Sequence, residues 1–377
     1  MSSSSSCHLT MQGFFMKRRS FIKGCVALGV NSIILPQVSI LEASEPKSKT
    51  RIFYVKNSYN LQHENKNGLT KLWVPLPQET SYQKVSDFKF NSNATNAYVT
   101  DKNSYKARTL YAEWKDGGEK LLEVTYTITT YERNSDLSKA TASTKYPKDV
   151  AHYLKPTAHI PTSGKVKELA LKITTSSKTP LDKAKAIYAW VTEHMYRDNA
   201  VIGCGLGDAG KAIENNIMGG KCTDISSVFV ALLRSVGIPA REIFGIRLGS
   251  SRYSKACGSS DELGLAKITG AEHCRAEFYL DGAGWVPCDP ADVAKVILTE
   301  KMTLNDPLVK EVREYFFGNW EMNWMGYNTA RDFVLAPTPA QKPLNMFGYP
   351  YGEVEDDVLD YYAPAAFTYN FVSQEKL

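Results

Sequence analysis

The stretch Gly219–Arg241, GGKCTDISSVFVALLRSVGIPAR, sets the tightest condition on how this chain can fold. Two glycines lead into Lys221-Cys222-Thr223-Asp224, and apolar residues then recur at Ile225, Val228, Phe229, Leu232 and Leu233. That spacing is helical, with one face to bury. The pattern stops at Gly237, with Pro239 two positions beyond, the residue types that end a helix. Cys222 therefore stands at or just before the first turn of an amphipathic helix. There the unpaired backbone N–H groups and the positive dipole end favour a thiolate over a thiol. Taken alone, the position suits a cysteine nucleophile and a space-filling cysteine equally well.

The N-terminus points to export. Lys17-Arg18-Arg19-Ser20-Phe21-Ile22-Lys23 is a twin-arginine run, followed by a mildly apolar stretch from Gly24 to Leu35 and then Pro36. A basic region, a short apolar region and a polar exit describe an export signal rather than a membrane span. Residues 1–44 are assigned to it, which places the mature chain in the periplasm or another extracytoplasmic space. Ile40–Ser44 lacks a clean small-x-small cleavage pattern, so an uncleaved signal would serve as an N-terminal anchor. No later window is long and apolar enough to span a bilayer. Of the formal charge of +5, residues 1–44 hold +3 (Lys17, Arg18, Arg19 and Lys23 against Glu42), which leaves +2. A balance so close to neutral implies no nucleic-acid surface.

From Arg51 to about Asn134 the text is strand-like, with alternation clearest in Leu122–Ile128 and turn signals at Asn67-Gly68 and Asp116-Gly117-Gly118. This predicts a β-sandwich over residues 45–140, with Trp73 and Trp114 in its core. A connector with Pro147, Pro156 and Pro161 leads to two helices. The first, 164–174, buries Val166, Leu169, Ala170 and Ile173; the second opens on Thr179-Pro180-Leu181-Asp182, an N-cap with proline at the first helical position. The glycine-rich segment 198–210 lacks the lysine and hydroxyl of a phosphate-binding loop and reads as a loop bordering the Cys222 helix. Two strand candidates follow, 242–248 and 271–280, the second turning at Asp281–Gly284 into Trp285-Val286-Pro287-Cys288-Asp289. The acidic group Glu353, Glu355, Asp356 and Asp357 has no EF-hand spacing and reads as a solvated turn.

Five cysteines follow the leader. With Cys222 free, Cys204, Cys257, Cys274 and Cys288 could form two disulfides in any of three pairings, or remain buried thiols. Zinc is disfavoured, since no CxxC or HxxxH spacing occurs.

A thiolate nucleophile needs an imidazole to manage its proton, and the imidazole needs a partner that fixes its tautomer. His273 lies 51 residues after Cys222, and Asp289 lies 16 after His273. Cys222 falls on a helix and the other two fall on adjacent strands. Three blocks, GGKCTDISSVFVALLRSVGIPAR, EHCRAEFYL and GWVPCDPADV, together with the preceding helix TPLDKAKAIYAWVTEHMYRD, resemble the transglutaminase-like superfamily over roughly residues 160–300. The resemblance implies an α+β fold: a papain-like core in which the cysteine helix packs on an antiparallel sheet, preceded by the β-sandwich. It implies Cys222 as nucleophile, His273 as general base and acid, and Asp289 as the residue that orients His273. Thr223 stands where animal transglutaminases and papain-like proteases usually carry Trp, whereas Asp224 fits the Cys-x-Asp form of bacterial members.

The domain expectation is thus export signal 1–44, sandwich 45–140, catalytic core 141–300, and an aromatic-rich C-terminal extension 301–377 packing on the core. The expected activity is acyl transfer on a peptide or carboxamide bond through a thioester, without cofactor or metal, with a protein or peptide substrate, for example in the cell envelope. The alternative is a non-catalytic transglutaminase-like binding or scaffold module.

Overall fold

Period-two patterning carries the N-terminal half. In Lys120–Tyr131, Leu122, Val124, Tyr126 and Ile128 face inward and are buried, and the residues between them are more exposed. The computed structural model describes residues 50–377 apart from Gln62, Glu64, Lys66 and Asp116, so the twin-arginine run and the expected export signal lie outside the described residues. The strands are β1 (Thr50–Leu61), β2 (Thr70–Pro75), β3 (Gln83–Ser92), β4 (Asn96–Thr100), β5 (Thr109–Trp114) and β6 (Lys120–Tyr131). Later in the chain come β7 (Ala240–Arg247), β8 (Leu265–Lys267), β9 (Arg275–Leu280), β10 (Gly284–Cys288), β11 (Trp324–Asn328), β12 (Tyr351–Val354), β13 (Asp357–Val358) and β14 (Tyr369–Glu375).

Two five-stranded antiparallel sheets, in the orders β8-β14-β1-β6-β3 and β13-β12-β2-β5-β4, share one apolar core. Phe53, Val55, Val124 and Ile128 contribute from the first sheet, and Leu72, Val74, Leu110 and Trp114 from the second. Trp114 lies in this core, as expected, whereas Trp73, also buried, packs in a separate cluster with Tyr111, Tyr351 and Phe347.

Residues 301–377 do more than pack on the core. They supply β12 and β13 to one sheet and β14 to the middle of the other, where β14 pairs with β1 on one side and β8 on the other. The aromatic tail gives no local sign of β1, β2 or β8 as partners, because all three lie far back in the chain. Sandwich and core are therefore interleaved in sequence and form one structural unit. Glu353, expected in a solvated turn, is fully buried on β12, where its Oε1 accepts from Tyr351 Oη and the Ala340 N–H; Glu355, Asp356 and Asp357 are exposed.

A third, four-stranded antiparallel sheet in the order β10-β9-β7-β11 carries the helical layer. The helices are α1 (Gly164–Ile173), α2 (Pro180–His194), α3 (Cys222–Ser235), α4 (Pro290–Thr299) and α5 (Pro307–Tyr315). Thr179 caps α2 with a reciprocal Asp182 contact, as the Thr-Pro-x-Asp text predicts. Helix α3 packs against β7, β9, α1, α2 and α4, and it is buried nearly all round rather than on one face. Its second face is made of Thr223, Ser226, Ser227 and Ala231, small side chains that admit close neighbours; Ser227 Oγ donates to buried Glu242 at 2.7 Å. Arg234 closes the end of α3 by donating to the Ala240 and Lys155 carbonyls at 2.7 and 2.9 Å.

Because β14 lies inside a sheet, Phe371, buried against Tyr59 and Tyr369, is a core residue of the sandwich. Phe371→Ala should lower unfolding free energy by about 3–5 kcal/mol, read from the urea midpoint at unchanged slope.

Candidate active site

Cys222 opens α3, with Lys221 as the capping residue, and is 4% exposed. Two contacts fix this end of the helix. The Asp224 carboxylate accepts the Lys221 N–H at 2.9 Å and the Gly207 N–H at 2.8 Å, and the Cys204 carbonyl accepts the Thr223 N–H at 2.9 Å. Asp224 thus caps backbone, and the glycine-rich loop wraps around it. At Gly205, with φ +86°, an added Cβ would lie 1.9 Å from Asp224 Oδ2, so only glycine fits there.

His273 sits two residues before β9 rather than within it. The β7–β9 ladder ends at Ile243 and Arg275, and β7 shifts register against β11 at Phe244/Gly245. His273 leaves the sheet at that irregularity, held by its N–H to the Gly245 carbonyl at 2.9 Å and by Trp324 Nε1 donating to its own carbonyl at 2.8 Å. Asp289 follows β10 and caps α4, an element the sequence reading did not anticipate. Its Oδ1 accepts the Asp292 N–H at 3.0 Å, and its Oδ2 lies 2.7 Å from His273 Nε2 and 3.2 Å from Arg275 Nε. With Nε2 engaged, Nδ1 is the ring nitrogen left for Cys222, which lines the same cleft and whose thiol His273 helps to lower. The structure therefore brings Cys222, His273 and Asp289 together.

The thiol of Cys222 is held well below its usual range. Hydrogen bonds from Cys204 and Cys274 act first, against burial, and His273 adds a hydrogen bond and its charge. Cys204 and Cys274 each have one proton and a second acceptor at hand, the Glu272 carbonyl at 3.2 Å and Thr223 Oγ1 at 3.5 Å. His273 and the helix N-terminus are the contributions no such competitor draws off. For His273 itself, burial and Arg247 push the imidazole down, but Asp289 and Asp292 prevail and raise it. A lowered thiol beside a raised imidazole is the condition for an ion pair.

Behind the pair stands a second carboxylate. Asp292 is fully buried and receives both terminal nitrogens of Arg247, at 2.9 and 2.6 Å. Burial would raise its carboxyl, but Arg247 and His273 hold it well below the carboxylate range. The ligand atoms of His273, Asp289 and Asp292 lie within 4.8 Å of one another. Arg247 and Arg275 already compensate these two carboxylates, so the group is poorly suited to a cation. Among the described residues all five cysteines are buried and free, with no disulfide.

Arg247, Arg275 and Asp292 escaped the sequence reading. The text Asp289-Pro290-Ala291-Asp292 does carry a signal: an N-cap, proline at the first helical position and an acid in the first turn. The arginines had none, since strand periodicity does not say what a buried cation meets. Trp285 lies under Arg241, 3.9 Å from the guanidinium carbon to the ring centroid, and beside Tyr153 and Tyr279. The tryptophans that cover the pair's backbone are Trp324, bonded to His273, and Trp320, whose Nε1 donates to the Cys288 carbonyl at 3.0 Å.

A family model described as the transglutaminase-like superfamily matches residues 167–290. An uncharacterized protein of Haemophilus influenzae is 50% identical over 320 residues, covering 82% of this chain and 87% of its own. The chain belongs to the transglutaminase-like superfamily. Among solved structures, a candidate cysteine protease of Cytophaga hutchinsonii aligns over 65% of this chain and 78% of its own, with 18% identity and a TM-score of 0.48. The periplasmic domain of TgpA from Pseudomonas aeruginosa aligns over 70% and 93%, with 13% identity and a TM-score of 0.36. The superfamily match ends at Pro290, so Asp292 lies just past the matched segment.

Removing one partner of the Arg247–Asp292 pair strands a buried charge. Arg247→Leu should cost about 3–5 kcal/mol at pH 7. The deficit should narrow as pH is lowered and Asp292 in the variant takes up a proton, measured by urea unfolding across pH.

Proposed function

We propose that this chain is an exported cysteine-dependent acyl-transfer enzyme acting on peptide or carboxamide bonds. The observation that carries the proposal is the buried contact of His273 with Asp289 at 2.7 Å, in the same cleft as a cysteine at the first position of a helix. The twin-arginine run at Lys17–Lys23 supports export.

Cys222 Sγ, as thiolate, adds to the carbonyl carbon, and the backbone N–H of Cys222 donates to the developing oxyanion. Collapse of the tetrahedral adduct breaks the C–N bond, and the His273 imidazolium gives its proton to the departing amine. The acyl group remains on sulfur as a thioester. A water molecule or a primary amine, deprotonated by His273, then attacks that thioester, and the sulfur leaves as thiolate. Asp289 keeps the imidazole in the tautomer with its proton on Nε2 and stabilises the imidazolium form. No step calls for a cofactor. A screen of glutamine-containing peptides with and without an added primary amine distinguishes hydrolysis from amine transfer.

Iodoacetamide labelling across pH tests the reading directly. Cys222 should react rapidly well below the free-thiol pKa of ~8.5, because its thiol is held low, and reactivity should follow its ionisation rather than an ordinary thiol's. His273→Ala should move the labelling profile upward and reduce turnover by about 10²–10⁴-fold, and Cys222→Ala should abolish both. Slow labelling indifferent to His273→Ala would return the chain to a binding or scaffold role.

The imidazolium should also limit the alkaline side. Because Asp289 and Asp292 raise His273, turnover should persist above the ordinary imidazole pKa of ~6.5 and fall only as the raised His273 deprotonates. Asp289→Asn should draw that alkaline limb to lower pH, seen in kcat/KM profiles.

A further inference from the structure

The cleft that contains Cys222 and His273, a cavity of 420 Å³, is also lined by Arg197, Lys221, Lys255, Lys267 and Lys295. They come from five separate places: the turn after α2, the residue that caps α3, the short helical turn Lys255–Cys257, the end of β8, and α4. Among the described residues none of the five makes a salt bridge, although eleven other Lys and Arg side chains do. Arg247 also reaches the cleft, but its charge is spent on Asp292.

The single acidic side chain lining this cleft is Glu272, and it does not offset the cations. Both its carboxylate oxygens are buried with no hydrogen-bond partner. Burial, with the Cys222 charge adding to it, pushes its carboxyl up to about 8, so it is mostly protonated at neutral pH. Lys295 shows the opposite strain. Burial lowers it, and the charges of Arg247 and Arg197 add to that against the opposing charge of Asp292. Like charges are thus gathered in one concavity where none of the five is held in a salt bridge and the thiolate of Cys222 is the one negative group among the described residues at the wall, an arrangement that an incoming anion relieves. After the leader the chain is only +2, so five unpaired cations at one cleft are a local concentration rather than a general bias.

We infer that the cleft selects an acidic peptide, one that carries carboxylates beside the carbonyl that meets Cys222. The identity of the reacting group rests on the acyl-transfer reading; the charge selection rests on the cleft itself. Lys221 directly precedes Cys222 and serves a carboxylate close to the reacting bond, while Arg197 and Lys295 form a second cationic pair. The carboxylate can belong to an acidic side chain or to a free C-terminus, and both present the same chemistry to these groups.

Four dansylated pentapeptides, Glu-Glu-Gln-Glu-Glu and Gln-Gln-Gln-Gln-Gln, each as the free acid and as the C-terminal amide, separate these sources. Binding is followed by anisotropy on the full-length Cys222→Ala protein, so that it does not depend on turnover. The all-glutamine amide should bind at least tenfold more weakly than the glutamate peptides. The all-glutamine acid reports the C-terminal carboxylate alone. The preference should shrink as salt is raised and collapse in an Arg197→Met/Lys295→Met variant of that protein. Lys267→Glu, at an exposed position, provides a second variant with the same expected direction should the double substitution fail to fold. Equal binding of all four peptides, or a preference that both folded variants retain, overturns the inference. Cys222 that resists iodoacetamide would instead remove the acyl-transfer chemistry and leave the binding result standing.

Discussion

The carboxylate of Asp289 has no access to solvent, and an isolated ion in that position would be too costly to keep. It persists because donors and positive charge surround it. His273 and the Arg275 guanidinium meet one oxygen, the latter as an ion pair, and the N–H of the first turn of α4 meets the other. Each of these groups arrives from a different element, so the charge ties β9, the segment before it and α4 into one arrangement. Asp292 extends the same device one helical turn along, where Arg247 brings in β7. The imidazole is thus oriented by a framework built to hold two buried negative charges, and its raised basicity is the electrostatic consequence of that framework.

The same framework explains why polar groups crowd a core that is otherwise apolar. Arg275 is fully buried between Asp289 and the Trp324 ring, with its guanidinium carbon 4.9 Å from the ring centroid. Glu277, two residues along β9, is held by Arg133 and by Arg241, the latter at 2.6 Å. Burial would raise Glu277, and these two arginines bring it below its usual value instead. Arg133 follows β6, so this pair also joins the sandwich to the sheet beneath the active site. Buried ion pairs of this kind add little net stability, but each fixes which elements can lie side by side.

Local patterns carried much of this into the sequence. The cysteine helix, the capping of α2, the hairpin β9–β10 and the inward faces of β1, β5 and β6 all repeat at the period of their own element, and each is legible from neighbours within about ten residues. Cys222, His273 and Asp289 could be singled out because each stands at a recognisable local feature. What could not be read is what depends on distant partners. Arg247 looks like any polar residue at a strand end until Asp292 is seen opposite it. Thr223, Ser226 and Ser227 suggest a solvated face for α3, and only the packed neighbours reveal that the face is buried. The tail from Tyr369 onward alternates as a strand should, but nothing nearby names β1 and β8 as its partners.

That last pairing has a consequence for how the molecule comes into being. The strand Tyr369–Glu375 fills a gap between two strands that emerge from the ribosome far earlier. Until it arrives, β1 and β8 have no mutual contact to close the sheet, and Tyr59 and Phe53 stand uncovered on one side. Closure of this sheet therefore waits for Tyr369–Glu375 and cannot be completed from the N-terminal strands alone. Loss of this one strand would leave β1 with an open edge and β8 without a neighbour in its sheet.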